Sequence, residues 1–542
     1  MSLRAHLLSL PNTHPLQVAI RTYSLALSLT LGPSLLSFIS SPKARAKGLH
    51  GLYSILRREF GITGFSFAIT AAIGGGSLLQ HLCNQLEDDR ILNPDTLTGP
   101  PRKWVQRLKA YLKSLDSETK TIFLHAFPAL LAFALIRLRP RSVKEKSITL
   151  QMIPSSPKSS VTRRTSASLE LTLLLSVRAF DAWTQKMIYR HVDHQDARNR
   201  RHKITTRLDA FAFWASSARI MWCFFYEPQR LPRSYVKWIS SLANIDERLV
   251  GALRALRTGE WSYIHGTRLQ PDIVATLSKD LGYPASWGTT GLLPSHGGPA
   301  ATEAWKALGV SGRDGVGGLP CELVHGNLAK GSCAQNVTLR GLYAFLEALA
   351  IYIPVHLLPV LLMRPHSLLR KPEISRLLLG ILRSAGFLST FVSSIWAAVC
   401  LTRTTLIARL LPNISHDFYD GPYGCILAGC LACGNSIWVE NRRRRGEMAL
   451  YVMPRAIRTC LPDRWIPGGR LGAYLVESAI FTLSLTTLIS AALHRPHCLR
   501  GLSRWTLEYI LKGPNVGGRR PGQLSKIPES EHRSEDTKPS TY

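Results

Sequence analysis

The sequence predicts an all-α, multi-pass membrane protein, with about eight spans in two parallel repeats of four and a soluble loop-and-helix insert between them. Three observations carry this. Apolar residues gather into blocks about as long as a bilayer is thick. Lys and Arg crowd between those blocks, and local features of the first half recur in the same order in the second.

The first repeat, 1–226, places spans near 22–42, 61–83, 121–137 and 167–185. Thr22 to Pro42, Gly61 to Leu86 and Thr121 to Ile136 carry no charge; the fourth block is more amphipathic and holds Glu170, Arg178 and Asp181, with Arg178 able to pair with either acid. A fifth apolar segment, 210–226, is short and contains Arg219, and its Trp and Tyr content suits the headgroup region, so it reads as an interfacial helix or an extra span. The second repeat, 340–493, places spans near 341–363, 384–402, 421–439 and 471–493, in which the charges are Glu347 and Glu477. Between them, 227–339 reads as soluble. Ser234–Arg257 forms one or two amphipathic helices with Trp238, Ile239, Leu242, Leu249 and Leu253 on the apolar face, and Trp287–Pro320 is mostly loop. The polar tail 494–542 is largely disordered.

The halves match feature by feature. Ile55-Leu56-Arg57 answers Ile381-Leu382-Arg383, Leu150 with Pro154 answers Leu450 with Pro454, and Glu170 answers Glu477. Loop charge follows the same plan. Residues 43–58 hold five basic residues and no acid, and 442–458 hold six against one, whereas 84–120 hold seven against six. By the positive-charge rule, corresponding loops then share a side, which makes the repeats parallel.

The net charge of +32 does not point to nucleic acid, because the basic residues flank apolar blocks, as in KARAK (43–47) and RRRR (442–445), where anionic lipid attracts them. The bilayer is the expected partner, with a second copy or other organellar membrane proteins beside it. The ten cysteines form no dense disulfide framework, and no acidic residue precedes Glu59, a feature shared with mitochondrial targeting segments. Asn336 and Asn413 each open a glycosylation triplet. No Walker loop, GxSxG elbow or HExxH motif is present, so the expectation is a protein that is not an enzyme.

Three constellations stand out. Cys321 and His325, followed by Cys333, offer two thiolates and an imidazole to zinc. A structural site wants a fourth ligand, for which Glu322 and His296 are candidates; a Cys321–Cys333 disulfide and free thiols in a packed turn are the other readings. No other cofactor is implied. Gly424, Ala428, Gly429, Ala432 and Cys433 recur at helical spacing as a small-residue stripe, which reads as close helix packing in lipid; Cys430-x-x-Cys433 matches a redox motif in spacing only. Gly74-Gly75-Gly76 either packs in the same way or breaks its helix. Glu347 and Glu477 are costly inside apolar helices unless paired or wet, so they mark either interhelical pairs or an intramembrane path.

PCELVHG with the following SC (320–333), ILRSAGFLSTF (381–391), the Gly/Cys-rich block 421–439 and RRRRGEMALYVMPRAI (442–457) resemble the transmembrane protein 135 family in its fungal form. The resemblance is best over about 320–493. That family is distantly similar to the channel-forming mitochondrial inner-membrane translocase subunits and to a peroxisomal membrane protein. The resemblance implies a mitochondrial or peroxisomal membrane, a role in organelle dynamics or lipid handling, and a cysteine-rich portion around Cys321, His325 and Cys333. A transporter or pore with its path between the repeats is the alternative expectation.

Overall fold

A backbone in hydrocarbon must satisfy its own N–H and C=O groups, and a helix does so within one segment. The computed structural model, which describes residues 10–40, 46, 48–87, 110, 113–138, 168–189, 195–268, 272–363, 370–462, 465 and 471–514, is accordingly mainly helical. Its described residues contain sixteen helices of eight residues or more and one ribbon of two-residue strands, Trp261–Ser262 with Gly266–Thr267.

In chain order the helices are α1 (Pro15–Ser40), α2 (Gly48–Phe60), α3 (Phe65–Glu87), α4 (Ser117–Leu138), α5 (Leu169–Tyr189) and α6 (Gln195–Tyr226). The connector supplies α7 (Arg233–Ala243), α8 (Glu247–Thr258), α9 (Ile273–Asp280) and α10 (Pro299–Leu308). Then follow α11 (Cys333–Met363), α12 (Lys371–Cys400), α13 (Cys425–Cys433), α14 (Arg442–Cys460), α15 (Leu471–His494) and α16 (Gly501–Lys512). Five stretches are long and apolar enough to cross a membrane: Gly48–Glu87, Ser117–Leu138, Cys321–Leu358, Lys371–Leu410 and Leu471–His494. By length and composition this is a helical membrane protein.

The chain divides into two units, one of residues 1–139 and 482–542, the other of 140–481, boundaries that differ from those of the expected repeats and connector. In the first unit α3 packs between α1 and α4, and Gly74-Gly75-Gly76 is the reason it can. A Cβ on Gly74 would stand 3.0 Å from that of Ala19, one on Gly75 3.4 Å from Pro128, and one on Gly76 only 2.0 Å from the ring of His125. The helix runs through all three glycines unbroken. The Arg21 guanidinium donates to the carbonyl of Ile510 (3.0 Å), fastening α16 to α1, and Thr121 meets His494 at 2.9 Å.

In the second unit α6 is the central element. Its C-terminal half, the segment 210–226, is buried on several sides: Phe213, Met221, Phe224 and Phe225 join Phe387 and Ile395 of α12, Cys430 of α13 and Ala449 of α14 in one apolar core. The indole N–H groups of Trp214 and Trp222 donate to the carbonyls of Leu431 (2.7 Å) and Pro422 (3.1 Å), which fixes α6 along α13. A second apolar core, built around Trp261, Leu277, Trp305 and Leu323, belongs to the connector.

Several expectations are corrected. The block 421–439 is not one continuous α-helix: α13 has nine residues and passes into a 3₁₀ turn, Gly434–Trp438, and it stays outside the five stretches of spanning length. Arg178 pairs with neither Glu170 nor Asp181; it donates to Glu447 of α14 at 2.8 Å, while Glu170 pairs with Arg458. Trp287–Pro320 is mostly loop, as expected, and holds one α-helix, α10, opened by Pro299 at its first position and closed by Gly309 in the left-handed region. Ser234–Arg257 is two helices, one of the two expected forms, with Asp246 capping α8 through its carboxylate (2.8 Å to the Arg248 N–H). On their apolar face Ile239 and Leu249 are buried, but Trp238 is exposed. The buried Asn336 bonds Arg340 and has no room for a glycan, whereas Asn413 is exposed. Residues 22–40 lie in α1 and 169–185 in α5, outside the five stretches above; 41–42 and 167, the basic runs near 43–47 and 137–146, Leu150 with Pro154, and the tail beyond 514 fall outside the described residues, apart from Ala46, Arg137 and Leu138.

Candidate metal centre and the buried charge cluster

Pro320 opens a short helical turn, Cys321–His325, and Leu323 plugs it into the connector core, so that Cys321 and His325 face inward, both buried. The chain then reverses tightly. Gly326 and Lys330 take positive φ, and a Cβ on Gly331 would stand 2.6 Å from the Glu322 carboxylate. That reversal returns Cys333, the first residue of α11, to the turn it has just left. The Cys321 and Cys333 sulfurs are 4.0 Å apart, and the ligand atoms of Cys321, His325 and Cys333 all lie within 4.8 Å of one another. Both thiols are free, since a disulfide needs about 2.05 Å. The His325 ring presents Nδ1 to the Lys330 carbonyl at 2.9 Å, leaving Nε2 directed at the Cys400 sulfur, 3.6 Å away. Cys400 ends α12.

The two residues expected to complete the set do not. His296 is exposed and bonds Ser295, and Glu322 lies against the Gly331 turn. The side chain that the fold brings beside the trio is Cys400, through His325 Nε2, and it gives no spacing signal because it sits in an apolar block far along the chain.

Beside the thiols lies a buried charge cluster. Arg403 donates to both oxygens of Asp420 (2.8 and 3.1 Å) and to the Leu319 carbonyl (3.2 Å). The Tyr263 hydroxyl donates to Asp420 (2.6 Å), and Asp417 accepts from Ser262 Oγ (2.7 Å) and the Tyr263 N–H (2.8 Å). Burial alone would raise the Asp420 carboxyl, but the Arg403 charge, helped by His416, holds it well below the usual carboxylate range. Burial drives the Tyr263 phenol well above its ordinary value, with the Asp420 charge adding to it, and keeps His416 low. Arg313, also buried, donates to the Cys321 sulfur (3.3 Å) and to the Gly317 carbonyl. These bonds fasten connector residues 262–319 to the segment 403–420. A small apolar cleft opens next to them, walled by Leu249, Leu253, Trp396 and Val399, with Arg403 and Asp420 in its lining.

The remaining candidates are separate. Gly429 packs against α12, where a Cβ would meet Ile395 and Val399 at 3.2–3.3 Å; Gly434 packs against Trp214, where a Cβ would stand 2.6 Å from its Cα. Gly424, Gly429 and Cys433 of the small-residue stripe are buried, while Ala428 and Ala432 are half-buried at its edge. Cys430 and Cys433 are free thiols inside that contact. Glu347 is exposed on the outer face of α11, and Glu477 is buried on α15, where it accepts from the Ser168 hydroxyl at 2.5 Å.

No family model, curated protein or solved structure matches the chain.

Proposed function

We propose that this is an integral protein of the mitochondrial or peroxisomal membrane, of the transmembrane protein 135 family, acting in membrane dynamics or lipid homeostasis without catalytic chemistry of its own. The five bilayer-length apolar stretches are the observation that carries the membrane assignment. The organelle and family rest on the motifs between 320 and 457 and on the acid-free N-terminus. The buried polar groups support a structural role. Arg403, Asp420, Tyr263 and Asp417 satisfy one another and hold connector to helices, and none of them projects into solvent as a reacting group.

The finer architecture, about eight crossings in two parallel repeats of four, belongs to the same proposal. Beyond the matched motifs it draws support from the glutamates. Glu477 is bonded to Ser168, two residues from Glu170, so positions that correspond in sequence lie near one another, as they do close to a pseudo-symmetry axis. Imaging a tagged full-length copy against organelle markers tests the assignment. Coincidence with mitochondria or peroxisomes is expected, and an exclusively plasma-membrane signal overturns it.

A further inference from the structure

We propose that Cys321, His325, Cys333 and Cys400 form a structural zinc site that clamps the end of the connector to the far end of α12. Zinc in such sites takes four ligands in tetrahedral array, with Zn–S of about 2.3 Å and Zn–N of about 2.0–2.1 Å. Those bond lengths place sulfurs about 3.8 Å from each other and about 3.6 Å from the nitrogen. The Cys321–Cys333 pair at 4.0 Å and the Cys400–His325 Nε2 pair at 3.6 Å already stand at that spacing.

The surroundings fit as well as the distances. A ligating imidazole is ordinarily held by a hydrogen bond from its other nitrogen, and the Lys330 carbonyl holds Nδ1 of His325 in that way. Three thiolates and a neutral imidazole leave a zinc complex with one net negative charge. Cationic groups lie close by: Arg313 donates to the Cys321 sulfur, Arg340 donates to the His325 carbonyl at 3.2 Å, and Arg403 reaches the Leu319 carbonyl. Loading balances as three thiols and Zn²⁺ giving three Zn–S bonds and three protons released to solvent. Sulfur and nitrogen donors with no open position favour zinc over Mg²⁺ or Ca²⁺, which require oxygen.

The test uses the full-length protein, purified in detergent through a tag that carries no histidine. Elemental analysis should find about one zinc per chain after dialysis against a weak chelator. Replacement by Co²⁺ should give the intense visible and thiolate charge-transfer absorption of a tetrahedral sulfur-ligated ion. Cys400→Ala should lose zinc to the chelator at least tenfold faster, Cys400→His should retain it, and Cys460→Ala, a change at an exposed thiol, should alter nothing. The cobalt spectrum of the unaltered chain keeps the proposal testable if Cys400→Ala fails to fold. Absence of zinc and of the cobalt spectrum overturns the site. So does a Cys321–Cys333 disulfide in the intact protein, and zinc held unchanged in Cys400→Ala overturns the role of Cys400.

Discussion

At Asp420 a single carboxylate takes two bonds from Arg403 and one from Tyr263 while fully withdrawn from water. Removing one partner of a buried pair typically costs about 3–5 kcal/mol, because the other charge stays buried without compensation. Asp420→Asn should therefore lower stability by about that much at neutral pH, measured by thermal unfolding in detergent. The pH dependence follows from the direction of the shift. The folded carboxyl titrates well below its unfolded value of about 3.9, so its contribution is complete above roughly pH 4 and is lost as pH falls through the folded value. His416, held neutral by burial, adds a separate loss that begins below about 6.5. Arg313, Tyr263 and Cys425 also lie around the carboxylate, and none of the three titrates near pH 4; Asp417, bonded to Ser262 and Tyr263, is a second carboxylate of the cluster that the unaltered protein and Asp420→Asn share. The unaltered protein should thus destabilise steeply below pH 4 and Asp420→Asn less steeply; parallel acid limbs would remove Asp420 from the account. None of this was legible in the sequence. Arg403 and Asp420 look like ordinary loop charges there, and only the fold brings Tyr263 from the connector to meet them.

Between helices the determining quantity is how closely two backbones approach, since lipid gives apolar surfaces no reason to leave it. Gly429 of α13 faces Ile395 and Val399 of α12 with no space for a branched side chain. Gly429→Leu should cost about 1–3 kcal/mol or more and reduce the yield of folded, detergent-soluble protein. Cys430→Ala with Cys433→Ala keeps the surface small and should change that yield little, whereas a redox role for the pair predicts the opposite ranking. The small-residue stripe shows in its spacing, whereas Gly74-Gly75-Gly76 left packing and helix breaking open, and the unbroken α3 with its close neighbours decides for packing. The length of α13 was not. Hydropathy averages composition over a window, and 421–439 is apolar enough; the helix nevertheless gives way after Cys433, where Gly434 lies against the backbone of Trp214. In the segment 210–226 the sequence does not show where Arg219 goes: its guanidinium donates to the Thr459 carbonyl, while Phe213, Met221, Phe224 and Phe225 join the core and Phe211 stays exposed.

Across the whole molecule, composition and charge placement carried most of the reading. Charge-free runs of bilayer length pointed to membrane helices, and the basic residues between them marked the loops before any contact was known. What the pattern does not encode is the partner of each buried polar group: Glu477 meets Ser168, Arg178 meets Glu447, and Cys400 meets His325, each across a long stretch of chain. Such pairings depend on tertiary packing, which leaves no local period in the sequence. The central claim remains that the apolar helices lie within a bilayer, and alkaline carbonate extraction of membranes from cells expressing the full chain tests it most directly. A protein held by several crossings should stay in the sedimented membranes and leave them only in detergent; release into the carbonate supernatant would contradict the account.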